Sequence, residues 1–296
     1  MTFEQLYIFV AVAEREHLTQ GAAAIGLTPS AVSASIKALE NFYRVTLFDR
    51  VGRGIKLTRE GRVLLREAKE TLAKVKATEA VLNELGNLST GVLDIQASQT
   101  ISNHWLPSRL LAFARTYPGI QVNLQIGNTT TVADGVTDGD ADLGFIEGTI
   151  DRPALFTVTV ATDKLVIVAA GGSPGKCKAS ELREICWVMR ERGSGTRDML
   201  ERGLRDMDID PESLKVSLTL PSNEALLAAV RGGNCITALS ESIVAPFLEN
   251  GQLRRLDFDL PPREFTLLRH KERHLTAAAK EFEAFLRSGA ASEVVA

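Results

Sequence analysis

The sequence predicts an α/β protein in three parts: an N-terminal winged helix-turn-helix, a long helix, and a two-lobed α/β region. Three observations predict it. Residues 18–43 hold two apolar-faced helical patterns joined by Gly26-Leu27-Thr28. From Arg59 to about Leu88 there is no proline, and apolar residues recur near heptad spacing. Beyond residue 91, strand and helix patterns alternate to the end of the chain.

Composition sets the bounds. A chain of 296 residues suits two or three domains, and a hydrophobic fraction of 45% can fill their cores. No apolar run is long enough to span a bilayer, and the acidic start MTFEQLYIF lacks the basic opening of a signal peptide. Three scattered cysteines make no disulfide framework. These points predict a cytoplasmic protein with no membrane partner. The net charge of −3 is unevenly spread. Residues 1–66 hold nine Lys/Arg against six Asp/Glu, a net of +3, so the remainder carries −6. A basic head on an acidic body fits a nucleic-acid-binding module joined to something else.

Thr2 and Gln5 form a capping box for a helix over residues 2–15, with Phe3, Leu6, Phe9, Val10 and Ala13 facing inward. In the next helix Ala22, Ala23 and Ile25 make the apolar face. Gly26 can take the positive φ that ends it. Thr28 caps the following helix, Pro29 suits its first turn, and Val32, Ile36 and Leu39 anchor it. Small Ala22, Gly26 and apolar Val32 stand at helix-turn-helix spacing. Pro29, Ser30, Ser33, Ala34 and Lys37 then form an outward face small enough to enter a major groove, with Lys37 reaching phosphate. In VTLFDRVGRGIKLTREG, Val45, Leu47 and Phe48 predict one strand, and Ile55 and Leu57 its return. Arg50 and Arg53 flank the turn of this wing, where they can reach a minor groove or its phosphates.

Thr58 caps the long helix. Leu65, Ala68, Leu72, Val75 and Leu82 fall near a/d positions, interrupted by Glu79. About thirty residues span roughly 45 Å at 1.5 Å per residue. So long and narrow a stripe predicts a helix that pairs two subunits. Asn87-Leu88-Ser89-Thr90-Gly91 reads as a hinge.

Residues 2–66 resemble the winged helix-turn-helix of the LysR-type transcriptional regulators. The Ala-rich helix, TPSAVSASIKALE, LFDRVGR and LTREG carry the resemblance. Gln20-Gly21, the segment Asn41–Arg44 and Ala34 depart from the common pattern, which bears on the operator read. The second half resembles the effector domain of the same family, built like a type 2 periplasmic binding protein. The resemblance implies a DNA-binding domain over 1–58, a linker and dimerisation helix over 59–90, and an effector domain over 91–296. Lobe I is expected over 91–162 and 268–296 and lobe II over 163–267, with crossings near 160–165 and 265–269. Implied partners are double-stranded promoter DNA, a small effector, RNA polymerase, and further copies of the chain as dimer or tetramer. No cofactor is implied.

Two polar stretches follow strands and precede helices: Ser98-Gln99-Thr100 and Ser194-Gly195-Thr196. A helix N-terminus offers unpaired N–H groups and suits an anion. Both stretches can also be ordinary caps; in the resembling fold both open on the interlobe cleft. Asn128-Thr129 and Ser222-Asn223 are weaker candidates of the same kind, and Glu147 is expected to line the cleft. Arg190 and Arg197 can supply positive charge or sit in structural ion pairs. IGNT, GFIEG and RERGSGTR resemble a subgroup that includes regulators of sulfur assimilation and sulfite handling, which implies a small oxyanion such as sulfite.

Catalytic readings find little support. His270 and His274 share a helical spacing, but their basic surroundings repel a metal cation and no acidic third ligand lies nearby. Cys186 and Cys235 open apolar segments and read as buried, inert residues. A solute-binding protein or small-molecule enzyme on the two-lobed fold leaves the first ninety residues unexplained.

Overall fold

Thr2 begins the first helix, α1 (Phe3–Ala13), by reciprocal capping: its hydroxyl accepts the Gln5 N–H at 3.2 Å and its own N–H donates to Gln5 Oε1 at 3.0 Å. The computed structural model describes residues 1–51, 54–85, 91–173 and 177–288. Two units form, Met1–Gly86 and Asn87–Ala296. Arg53 and residues 87–90 of the expected hinge lie outside the described residues.

In the first unit, α2 (Leu18–Ala24) ends in a Schellman turn. Gly26 sits at φ +68°, the Leu27 N–H donates to the Ala22 carbonyl at 3.0 Å, and the Gly26 N–H donates to that of Ala23 at 3.3 Å. α3 (Pro29–Tyr43) follows, with the Thr28 hydroxyl accepting the Ala31 N–H at 3.3 Å. Ala22, Val32 and Ile36 pack with Ile8 and Val12 of α1. At Gly21 α2 lies directly against α1: a Cβ there would lie 2.8 Å from the Val12 Cα. One of the departures noted in the sequence is thus the residue that lets these two helices touch.

The wing is β1 (Phe48–Val51) paired antiparallel with β2 (Gly54–Leu57). Two carboxylates fasten it to the helices. Glu40 accepts the N–H groups of Leu47 (2.7 Å) and Phe48 (3.4 Å), and Glu16 accepts that of Leu57 (3.1 Å). Val45 and Leu47 precede the strand rather than belonging to it; Leu47 is core and Val45 is exposed. Phe3, expected inside, is 59% exposed, because Leu6, Ile8, Phe9 and Val12 already fill the inward face.

The Thr58 hydroxyl caps α4 (Arg59–Leu85) through the Gly61 N–H at 2.9 Å. The reading of α4 as a free pairing seam needs correction over its first half. Leu65, Ala68 and Leu72 pack with Leu6, Phe9 and Ala13 of α1, so these a/d residues belong to the unit's own core. Leu82, nearer the far end, is 63% exposed.

The second unit holds two five-stranded sheets. β3 (Gly91–Ser98) leads through a π turn, Ile101–Trp105, into α5 (Leu106–Thr116). β4 (Ile120–Gly127), α6 (Thr129–Asp138), β5 (Leu143–Glu147) and β6 (Leu155–Asp163) follow. Lys164 alone separates β6 from β7 (Leu165–Ala170), the first strand of the second sheet. That sheet continues with β8 (Cys186–Arg190), α7 (Gly195–Asp206), β9 (Val216–Leu220), α8 (Asn223–Gly232) and β10 (Cys235–Ser240). α9 (Glu241–Glu249) and β11 (Leu253–Arg255) complete it. The chain returns with β12 (Arg263–His270) and ends the described fold with α10 (Ala277–Arg287). The strand orders are β4-β3-β5-β12-β6 and β11-β7-β10-β8-β9.

The first crossing lies at Lys164, within the expected range. The second falls between Arg255 and Arg263, earlier than the expected 265–269, because Arg263 already pairs with Asp163 across the first sheet. Among the described elements, α9 and β11 were not anticipated; Pro246 inside α9 disguises a helix. Cys186 and Cys235 are register partners on parallel β8 and β10 and are half-buried, not the sealed core residues expected.

A Cβ on Gly61 would lie 2.2 Å from the Leu47 carbonyl oxygen, whereas one on Gly172 meets nothing within 4 Å. Gly61→Ala should therefore destabilise the first unit by about 1–3 kcal/mol, and Gly172→Ala should leave stability nearly unchanged. Urea unfolding of both variants followed by helical circular dichroism checks this.

Candidate functional site

The first unit presents α3 outward. Pro29, Ser30, Ala34 and Lys37 are exposed and Ser33 is half-buried, while Val32, Ile36 and Leu39 hold the opposite face in the core. The Ser30 hydroxyl lies 3.1 Å from that of Thr28. Arg50 is exposed on β1, and Arg53 lies outside the described residues. The expected reading face therefore stands on one side of one helix, with the wing arginine in the same unit.

The candidate effector site gathers at strand ends. Ser98 closes β3, Asn128 and Thr129 follow β4, and Glu147 closes β5 of the first sheet. From the second sheet come Ser194 and Gly195 at the start of α7, and Ser222 and Asn223 at the start of α8. The parallel strands of each sheet deliver these residues at their carboxyl ends, the usual place for ligands in open α/β sheets.

Asn223 joins the two sheets. Its backbone N–H donates to Gln99 Oε1 (2.6 Å), its Nδ2 donates to the Thr100 hydroxyl (3.0 Å), and its Oδ1 accepts from Arg190 Nη1 (2.7 Å). Asn128 Nδ2 donates to Glu191 Oε1 (3.3 Å), and the Thr130 N–H donates to the Gly193 carbonyl (3.3 Å). Gly195 lets α7 press against the first sheet: a Cβ there would lie 2.7 Å from both the Glu147 carbonyl oxygen and the Thr129 hydroxyl.

Capping accounts for some of the candidates. Asn128 Oδ1 accepts the Thr131 N–H at 3.0 Å, and the Ser222 hydroxyl accepts the Ala225 N–H at 3.0 Å. Ser194 occupies a cap position but makes no side-chain cap bond. The Thr100 and Thr196 oxygens accept from Asn223 and from Arg263 Nη1 (3.0 Å), which leaves each hydroxyl its own proton to donate. The Ser98 and Thr129 hydroxyls are buried with no hydrogen-bond partner. Burying a hydroxyl without a partner costs about 1–3 kcal/mol, so two in one place mark a site that something else completes.

Three charged residues here were not singled out from the sequence: Glu191, Asp163 and Arg263. Arg263 is 1% exposed; its Nε donates to Asp163 at 2.7 Å, and Nη1 lies 4.0 Å from Glu147. The readable signal was an arginine opening the apolar strand REFTLL just after Pro261-Pro262. Arg190 makes a forked pair with Glu191 (2.8 and 3.0 Å), and Arg197 pairs with Glu201 at 2.8 Å. Both arginines are thus in ion pairs, one of the two readings the sequence left open. Burial pushes the Glu191 carboxyl up, but hydrogen bonding and the charge of Arg190, helped by a backbone N–H and Asn128, hold it below the ordinary range. His270 turns inward to its own chain, its Nδ1 accepting the N–H groups of Glu272 and Arg273 at 3.2 Å.

The family described as "Bacterial regulatory helix-turn-helix protein, lysR family" matches residues 3–62, and "LysR substrate binding domain" matches residues 86–291. The chain belongs to the LysR family: it is a DNA-binding transcriptional regulator with an effector-binding domain, and not an enzyme. Among relatives, the HTH-type transcriptional regulator YeiE of Escherichia coli K12 is 33% identical over 287 residues, covering 95% of this chain and 96% of its own. The crystal structure of CbnR shares the fold at TM-score 0.70 and 20% identity, covering 98% of this chain and 99% of its own. The regulatory domain of Synechocystis PCC6803 CcmR, solved in complex with 2-PG, matches 67% of this chain and 97% of its own at 26% identity and TM-score 0.61.

A carboxyl whose folded pKa is depressed stabilises the fold above its unfolded value, about 4.3, and loses that contribution as pH falls through the folded value. The melting temperature should therefore drop below about pH 4.3, and Glu191→Gln should flatten that part of the profile. Calorimetry from pH 6 downward tests this; identical slopes in both proteins would remove Glu191 from the account.

Proposed function

We propose that this regulator binds a small anionic effector between the two sheets of its second unit, and that the effector alters its action on promoter DNA in the cytoplasm. The observation that carries the reading is the pair of buried, unpartnered hydroxyls of Ser98, at the end of β3, and Thr129, against the start of α7. Hydroxyl donors, the free N–H groups of a helix N-terminus and glycine backbone suit an oxyanion. Thr100, Ser194 and Thr196 add donors, and Gln99, Asn128, Ser222, Asn223 and Glu147 frame the site. Arg263 pairs closely with Asp163 and lies 4.0 Å from Glu147, so it offsets the Glu147 carboxylate only in part and the donors to the anion are the hydroxyl and N–H groups. The segments IGNT, GFIEG and RERGSGTR make sulfite the first anion to test, and the CcmR complex makes 2-PG the second. Entry requires the sheet ends to part by bending at the crossings at Lys164 and between Arg255 and Arg263.

Pro29, Ser30, Ser33, Ala34 and Lys37 serve as the major-groove face, and Arg50 with Arg53 as the wing contact to flanking DNA. Residues 59–90 connect the head to the effector domain. The exposed end of α4 at Leu82 pairs subunits, so that a dimer or tetramer presents several heads to one site and engages RNA polymerase from there.

Losing one hydroxyl donor to a charged ligand costs about 1.5–3 kcal/mol, roughly ten- to a hundredfold in affinity. Calorimetry with sulfite, sulfate, thiosulfate and 2-PG should show that loss in Ser98→Ala and Thr129→Ala, with effector-free DNA binding intact. Should the wild type bind none of these anions, or both variants bind as tightly as it does, the assignment is wrong. Arg50→Ala should weaken specific and random DNA alike and lower the salt slope by about one. Leu82→Glu should shift the chain to a smaller species in light scattering without unfolding the head; an unchanged mass would show that α4 does not hold the subunits together.

A further inference from the structure

β8 and β10 run parallel, with Cys186 and Cys235 as direct register partners. Their side chains emerge on the same face, which β8 and β10 also line with Val188 and Leu239. Neighbouring strands stand about 4.7–4.9 Å apart, within the Cα separation of about 4.4–6.8 Å that disulfides adopt. Both thiols are free and half-buried. On the other side of Cys186, β9 carries a bulge: Trp187 pairs with Val216 and Val188 with Leu218, which leaves Ser217 as the extra residue. The Ser217 hydroxyl lies 3.1 Å from the Cys186 Sγ and is exposed. Gly233 has no side chain to cover Cys235; a Cβ there would sit 3.4 Å from that sulfur.

We propose that Cys186 and Cys235 form a redox-active dithiol that closes to a disulfide by exchange with a low-molecular-weight disulfide. This reading is independent of the effector site. The Cys186 thiolate attacks one sulfur of the small disulfide, whose S–S bond breaks and releases a thiolate that takes up the proton Cys186 gave. Cys235 then loses its proton and attacks the Cys186 sulfur of the mixed disulfide, releasing the second small thiol. Two protein thiols are oxidised, and one small disulfide is reduced to two thiols. Ser217 favours Cys186 as the attacker because its hydroxyl can turn to donate to the thiolate. Burial, with hydrogen bonding to Cys186 and its charge, pushes the Cys235 thiol up, which suits the resolving partner. The disulfide would tie β8 to β10 at their amino ends; the opposite ends of the same strands carry Arg190 and Ser240.

The test equilibrates the full-length chain in buffers of reduced and oxidised glutathione, quenches with acid, alkylates, and maps the cysteines by mass spectrometry. The expected product has lost two hydrogens, carries a Cys186–Cys235 link, and retains Cys177 as an alkylatable thiol. Cys235→Ser should stop at a glutathione adduct on Cys186, and Cys177→Ser should behave as wild type. Ser217→Ala should slow the first exchange about tenfold, the worth of one hydrogen bond to a charged group, with little change in the final oxidised fraction. Three results would overturn the proposal: no reaction at either cysteine while the urea-unfolded chain reacts, an adduct that accumulates on Cys186 in the wild type without closing, or a link that includes Cys177.

Discussion

The effector-binding unit depends on one buried cation at the place where the chain changes sheets. Arg263 begins the returning strand and Asp163 ends the departing one, and they are register partners in the first sheet. A guanidinium this deeply buried would be strongly unfavourable alone. Asp163 neutralises it, Thr196 of α7 accepts from it, and Glu147 stands within 4.0 Å. Asp163 in turn accepts from the Ser240 hydroxyl at 2.7 Å. Both crossings, the start of α7 and the end of β10 are thereby fixed to one group. The position of Gly195, against which the Thr129 hydroxyl rests, follows from that anchoring.

The DNA-binding head rests on a different kind of constraint, close backbone approach. Gly21 brings α2 onto α1, Gly26 turns the chain toward α3, and Gly61 lets α4 start beneath Leu47. These positions favour glycine for steric reasons, and the outward residues of α3 are free to vary because none of them carries the packing. The head can therefore change what it reads without changing how it folds.

Much of this was legible in the sequence, for identifiable reasons. The helix-turn-helix, the wing and the capping residues Thr2, Thr28 and Thr58 are local patterns whose chemistry acts within a few residues. The alternating strands and helices of the second unit were readable from periodicity, and so was the place of Ser98 and Ser194 between strand and helix. What failed was non-local. Leu65, Ala68 and Leu72 carry a heptad stripe, but periodicity cannot say whether the partner is another subunit or α1. The depth of Arg263, the partnership of Glu191 with Asn128, and the pairing of Cys186 with Cys235 arise only when distant segments meet. Phe3 shows the converse case, an apolar residue left outside because the inward face was already full.

Under the proposed function, anion binding in the second unit is coupled to DNA binding by the first. Coupling free energy is reciprocal, so whatever factor the anion imposes on DNA affinity, DNA must impose on anion affinity. The direct measurement is the dissociation constant of the identified anion for the full chain, taken by calorimetry with and without saturating promoter DNA. Coupling gives a difference between the two values, matched by an equal change in DNA affinity on adding the anion. Equal anion affinities in both states, together with unchanged DNA affinity, would contradict it.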